Sequence, residues 1–146
     1  MSGTKNYFHT GAITPDIIAN SIAKHSTKKN IGAHQIFLGQ VRADEIDSRM
    51  VKAIDFSAYV EMANNEISKI REEIIVSHNL TCAHVTHSQG LVNAGEICFF
   101  VFVSSQHRHA AFDACTLMVN RIKKEVPIFG KEMFEDETYK WKENKV

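Results

Sequence analysis

VSSQHRHAAFDACTLMVNRIKKEVPIFGKE, residues Val103–Glu132, decides how this chain folds. Within it Ala111, Phe112, Cys115, Met118, Val119 and Ile122 recur at i, i+1, i+4, i+7, i+8 and i+11, the stripe of a helix facing a core. Pro127 ends that helix, because the residue before a proline is pushed out of the helical region. Just upstream, ICFFVFV (97–103) is an unbroken apolar run rich in aromatic and branched side chains. It predicts a central strand covered on both faces. Just downstream, PIFGKEMFEDETYKW (127–141) predicts two short strands around an acidic turn at Glu135, Asp136 and Glu137.

Working back toward the start, Thr14-Pro15-Asp16 reads as a helix opening: hydroxyl cap, proline in the first turn, then an acid. Ile17, Ile18, Ile22 and His25 share one face, and this helix should close before Asn30. AHQIFLGQVR (33–42) predicts a strand, with Gly39 marking a bulge or a close approach. Residues 43–50 are expected to be a flexible hairpin loop and VKAIDFSAY (51–59) a second strand. Ala63, Ile67, Ile70 and Ile74 mark a helix over 60–79. LTCAHVTHSQG (80–90) is expected as a strand that ends in a glycine turn, and residues 1–13 as an extended lead-in or edge strand. Helices alternating with strand pairs imply one α+β domain over residues 1–146, helices packed on a mainly antiparallel sheet.

The formal net charge of the 146 residues is zero, so no global field draws nucleic acid or an anionic membrane to the chain. No apolar run approaches the roughly 20 residues that span a bilayer, and the N-terminus lacks the apolar segment of a secretory signal. A cytoplasmic protein is the expectation. The three cysteines form no C-x-x-C pair and sit in apolar contexts, which predicts buried core thiols rather than a disulfide framework. Phosphate-loop, dinucleotide and serine-hydrolase glycine motifs do not occur.

Two close histidine pairs stand out, His84 with His87 and His107 with His109. The first pair, three apart on a strand, points to opposite faces, so no metal centre is expected from either. Lys123 is more informative. It lies four residues after Val119 and continues the apolar stripe, whereas Lys124 falls on the solvent side. An amine so placed either snorkels or sits at a pocket rim, where partial burial lowers its pKa toward the range useful for acid–base work. His107 and Arg108 open the same helix, and two cationic or imidazole groups beside its positive dipole end favour an anion between them.

Taken together, FLGQVR (37–42), YVEMA (59–63), VSSQHRHAAFDA (103–114), IKKEVPIFGKE (122–132) and Trp141 resemble the large, catalytic subunit family of molybdopterin synthase. The likeness runs from about Gly32 to Trp141. It implies an α/β-hammerhead fold and a sulfurtransferase that converts cyclic pyranopterin monophosphate to the dithiolene molybdopterin, with no cofactor. Sulfur is implied to come from the C-terminal Gly-Gly thiocarboxylate of a small ubiquitin-like subunit. A homodimer of large subunits carrying one small subunit each, a heterotetramer, is implied as well. By the same likeness Arg42, with Gln40 and Val41, matches a substrate-contacting segment, His107 and Arg108 match a His-Arg pair, and Lys123 matches the principal catalytic lysine. Phe37 and Lys145 are further candidates.

The chain departs from the family where Pro-x-Trp-Lys-[Lys/Arg]-Glu becomes Pro127-Ile128-Phe129-Gly130-Lys131-Glu132. The second catalytic lysine then aligns with Gly130, and Lys131 is the expected substitute, with Gly130 and Glu132 beside the substrate. A His-Arg pair before the glycine turn is His87-Ser88 here. Arg108 and Lys123 stand fifteen residues apart on one helix, about 22 Å along its axis, so two chains must meet to complete a site that uses both. The partner's tail is expected along the apolar surface near Ile128, Phe129 and Phe134. The alternative reading is a non-catalytic module that binds a ubiquitin-like tail or a phosphorylated small ligand.

Overall fold

The structure, a computed structural model, describes residues 5–143. In chain order the elements are β1 (Phe8–Thr10), α1 (Pro15–Ala23), β2 (Ala33–Gln40), β3 (Glu45–Ile46), β4 (Arg49–Ala58) and α2 (Val60–His78). They continue as β5 (Cys82–Asn93), β6 (Ile97–Ser105), α3 (Arg108–Glu125), β7 (Ile128–Phe134) and β8 (Tyr139–Trp141). The strands run β2-β6-β5-β4-β7-β8 across the sheet, with every pair antiparallel except β1 on β5. The expected α+β architecture is what these residues build.

β6 is an inner strand between β2 and β5, covered on both faces as its apolar run requires. Phe99, Val101 and Val103 point into the main core under α2 and α3, where they meet Ile67, Ile70, Ala111 and Met118. Phe100 and Phe102 point the other way, onto Ile13 and the isoleucines of α1. A third cluster, Val41, Val51, Ile54, Phe56, Val92 and Phe134, fills the space beneath β4 and β7. In α3 the predicted stripe is buried except for Phe112, which stays exposed. Asn79 closes α2 in the left-handed conformation (φ 51°), a position that asparagine tolerates better than branched residues.

Two upstream expectations are corrected. β5 does not stop at Gly90: it continues to Asn93 and changes partner there, pairing with β6 through His87 and with β4 from Gly90 onward. A φ of 89° at Gly90 lets the strand bend between the two pairings, and a side chain would strain it. The second strand begins at Arg49 rather than Val51, inside the hairpin expected over residues 43–50. β3 pairs with β4 across a two-residue turn at Asp47 and Ser48, both at positive φ as a tight hairpin demands.

Candidate functional site

The second half of the sheet and the end of α3 enclose a cavity of about 790 Å³. β2 reaches it first. Its pairing with β6 slips between Gly39 and Gln40, and glycine fits the close approach there, where a Cβ would stand 3.1 Å from the Phe99 Cβ and 3.3 Å from the Phe37 ring. That bulge delivers Gln40 and Arg42 to the cavity wall. Val41 between them is fully buried, and its N–H and carbonyl are taken by the Glu96 carbonyl and the Gly95 N–H. Val41 therefore positions its neighbours and has no free group to offer a substrate. The Arg42 guanidinium lies 3.3 Å from Asp44 on the β3 hairpin, largely in solvent.

The last turn of α3 brings Lys123 to the opposite wall, with its ammonium 5.8 Å from the centre of the Phe99 ring. Its stem is open toward the cavity mouth, yet the walls strip water from the amine. This desolvation lowers its pKa below the usual lysine value; the Cys98 sulfur opposes the shift and the charges of Lys142 and Arg42 reinforce it. Cys98 lies beside it, with its thiol raised by burial and drawn back by Lys123 and Lys142. His87 forms part of the floor, packed between Phe56 and Phe99 with ring centres 5.1 Å away on either side. Its Nδ1–H donates to the Ser88 carbonyl at 2.8 Å, and burial drops its pKa to about 4, so the ring is neutral near pH 7.

β7 and the chain after β8 close the far side, through Gly130, Glu132, Lys140 and Lys142. Lys131 is not among the lining residues. Its ammonium lies 4.5 Å from the Tyr139 ring and 5.3 Å from the Trp141 ring. Neighbouring residues on a strand face opposite sides, and no bulge at Gly130 re-aims Lys131. Phe134 is fully buried against Val51 and Ile54, so it offers no surface to a partner, whereas Phe129 is exposed beside the Tyr59 ring. Phe37 lines the cavity; Lys145 lies outside the described residues.

His107 and Arg108 sit at the other end of α3 and take no part in the cavity of their own chain. The structure thus brings Gln40, Arg42, Lys123, Gly130 and Glu132 together and leaves the His-Arg pair apart. Two features escaped the sequence. Lys142 enters the cavity from the strand beyond the acidic turn, a placement that depends on hairpin register. On the opposite face of the sheet, His25, Cys82 and His84 bring their ligand atoms within 4.8 Å of one another. There the i, i+2 spacing of Cys82 and His84 was the available signal.

Residues 13–125 match the family model of the MoaE protein. The molybdopterin synthase catalytic subunit of Pyrococcus abyssi is 38% identical over 110 residues, covering 75% of this chain and 74% of that protein. The one from Rattus norvegicus is 36% identical over 114 residues, 78% of this chain; the chain spans only 56% of that relative's length. Among solved structures, molybdopterin synthase from Staphylococcus aureus superposes with a TM-score of 0.83 at 27% identity, covering 95% of this chain and 97% of that one. With the family model matched over residues 13–125 and relatives above 30% identity over three quarters of its length, the chain belongs to the MoaE protein family.

Proposed function

We propose that this chain is the catalytic subunit of a molybdopterin synthase. A small ubiquitin-like subunit presents its C-terminal thiocarboxylate in the cavity, and its sulfur passes to cyclic pyranopterin monophosphate to build the dithiolene of molybdopterin. The observation that carries this reading is the Lys123 amine, held in a desolvated cavity opposite Arg42. A lowered pKa makes the lysine a readier proton donor. Protonated, it also stabilises negative charge that develops on the thiocarboxylate carbonyl oxygen. The Arg42 fork suits an anionic phosphate, with Gln40 beside it as a neutral donor.

His107 and Arg108 serve the same reaction from a second copy of the chain, since one straight helix holds them far from its own Lys123. The working unit is therefore a homodimer with a small subunit on each protomer, acting in the cytoplasm. The partner's tail runs past the exposed Phe129 toward Ile128, which lines the cavity. The test is a reconstituted reaction of the purified chain, a thiocarboxylated small subunit and the cyclic pterin. Dithiolene product is expected, and none when the small subunit ends in an ordinary carboxylate. A bound small subunit that yields no product with wild-type chain would favour a binding module instead.

A further inference from the structure

We propose that Lys142 supplies the second amine of this site. The inference rests on the sulfurtransfer reading and concerns which residue works beside Lys123. β7 and β8 pair with Lys131 opposite Trp141 and Glu132 opposite Lys140, and one step further the Lys142 N–H donates to the Gly130 carbonyl at 2.8 Å. Residues opposite each other across a ladder present their side chains on the same face. Lys142 therefore emerges where a side chain at position 130 would, and a Cβ built on Gly130 would stand 3.7 Å from the Lys142 Cβ.

The space at position 130 is already taken. That same Cβ would come within 3.0 Å of the Ile54 methyl and 3.5 Å of the Phe56 ring. Glycine leaves β7 flat enough for the Lys142 stem to cross it into the cavity. Its charge is felt at both Lys123 and Cys98, which places the amine in the shared electrostatic field of the site. Lys131, the neighbour in sequence, is committed to the rings of Tyr139 and Trp141.

In the reaction the thiocarboxylate sulfur uses its lone pair to form a bond to a pterin side-chain carbon. The carbon–oxygen bond at that carbon breaks, and its electron pair leaves on the oxygen. Lys142 donates its Nζ proton to that oxygen and is reprotonated from solvent. Water then adds to the acyl carbon of the resulting thioester, and Lys123 holds the carbonyl oxygen as it becomes an oxyanion. The acyl–sulfur bond breaks to leave sulfur on the pterin and a carboxylate on the small subunit. The charge of Lys142 adds to the desolvation that lowers the pKa of the Lys123 amine.

The experiment compares wild type, Lys142→Ala, Lys142→Arg and Lys131→Ala in single-turnover sulfur transfer, with small-subunit affinity measured alongside. Lys142→Ala should lose about 100-fold or more in rate, bind the small subunit as before, and regain rate with added methylamine. Lys142→Arg should keep substrate binding and recover little rate. Unchanged rate in Lys142→Ala, or a loss that follows small-subunit affinity and ignores methylamine, would overturn the assignment. Inactive wild type would instead refute the sulfurtransfer reading itself.

A separate cluster carries a second inference: we infer that His25, Cys82 and His84 bind a divalent cation of the zinc class. The Nε2 atoms of the two imidazoles face each other at 3.0 Å, and Cys82 Sγ joins them. His25 donates Nδ1–H to the Ser21 carbonyl at 2.6 Å, which leaves Nε2 as the lone-pair nitrogen, the usual arrangement for a ligating histidine. Cys82 and His84 share a strand face, and the Phe102 ring packs against both imidazoles. Lys28 donates to Cys82 Sγ at 2.8 Å, which holds the sulfur turned toward the two imidazoles. Two imidazoles and a thiolate make the donor set of a three-ligand zinc site with one open position.

Titrating the full chain with Co²⁺ should give a thiolate-to-cobalt band and tetrahedral visible bands that saturate at one equivalent. Both should vanish in Cys82→Ser and survive in Cys115→Ser. No band at one equivalent, or a band that persists in Cys82→Ser, would overturn the site.

Discussion

The Lys131 ammonium lies 4.5 Å from the Tyr139 ring, on the side of β7 away from the cavity that Gly130 lines. Lys131→Ala should therefore leave sulfur transfer within about twofold of wild type, and cost about 0.5–1 kcal/mol of stability through the lost cation–π contacts. Parallel activity and denaturation measurements separate the two effects. A large loss of turnover at unchanged stability would return Lys131 to the site.

Gly32 sits against the backbone carbonyl of Gln106, so close that an added Cβ would overlap the oxygen. The Gly32 N–H also donates to the Ser105 carbonyl at 3.0 Å, which fixes the entry to β2. Backbone cannot step aside as a side-chain tip can. Gly32→Ala should destabilise the fold by about 3 kcal/mol, read as a shift in the urea midpoint with the slope unchanged. A midpoint equal to wild type would show that the contact relaxes freely.

His87 ties stability to pH. Its pKa is about 4 in the folded chain against 6.5 when unfolded. Above 6.5 both states are neutral and its contribution is complete. As pH falls below 6.5 the unfolded chain takes up a proton that the folded chain refuses, and stability declines until about pH 4. The loss amounts to about 3 kcal/mol. Denaturation at pH 7.5 and 4.5 should show a smaller drop for His87→Gln than for wild type; equal drops would mean that the ring protonates in place.

The composite site makes a prediction that neither variant alone can test. Arg108→Ala and Lys123→Ala should each be poorly active. Mixing them in equal amounts under conditions of subunit exchange should restore about a quarter of wild-type activity. Half the dimers are then mixed, and one of their two sites keeps both native residues. No recovery in dimers shown to exchange would place Arg108 outside the reaction.

Much of this was legible in the sequence where a single element decides the outcome. The ICFFVFV run could only be a strand buried on both sides, and Lys123 continued the apolar stripe of α3 by periodicity alone, which put it at the cavity wall. What was not legible depended on how strands pair. Gly90 looked like a terminator because a glycine that ends a strand and one that bends it between two partners read alike. Lys131 could stand in for a lysine at Gly130 only if the glycine let the strand bulge, and only the pairing, which is regular there, decides that. Lys142 could be found only once the turn at residues 135–137 had set the register, with the Phe134 N–H donating to the Thr138 carbonyl at 2.9 Å.

The most direct measurement is the reconstituted reaction with Lys123→Ala beside wild type, both shown to bind the small subunit equally. Dithiolene formation should fall by about 1,000-fold, within the range expected when an oxyanion-stabilising donor is removed. It should also respond to pH in wild type, with the rate falling as pH rises past the lowered pKa of the Lys123 amine. Product formed by Lys123→Ala at a rate near wild type would contradict the account, because the one amine that α3 delivers to the cavity would then be idle.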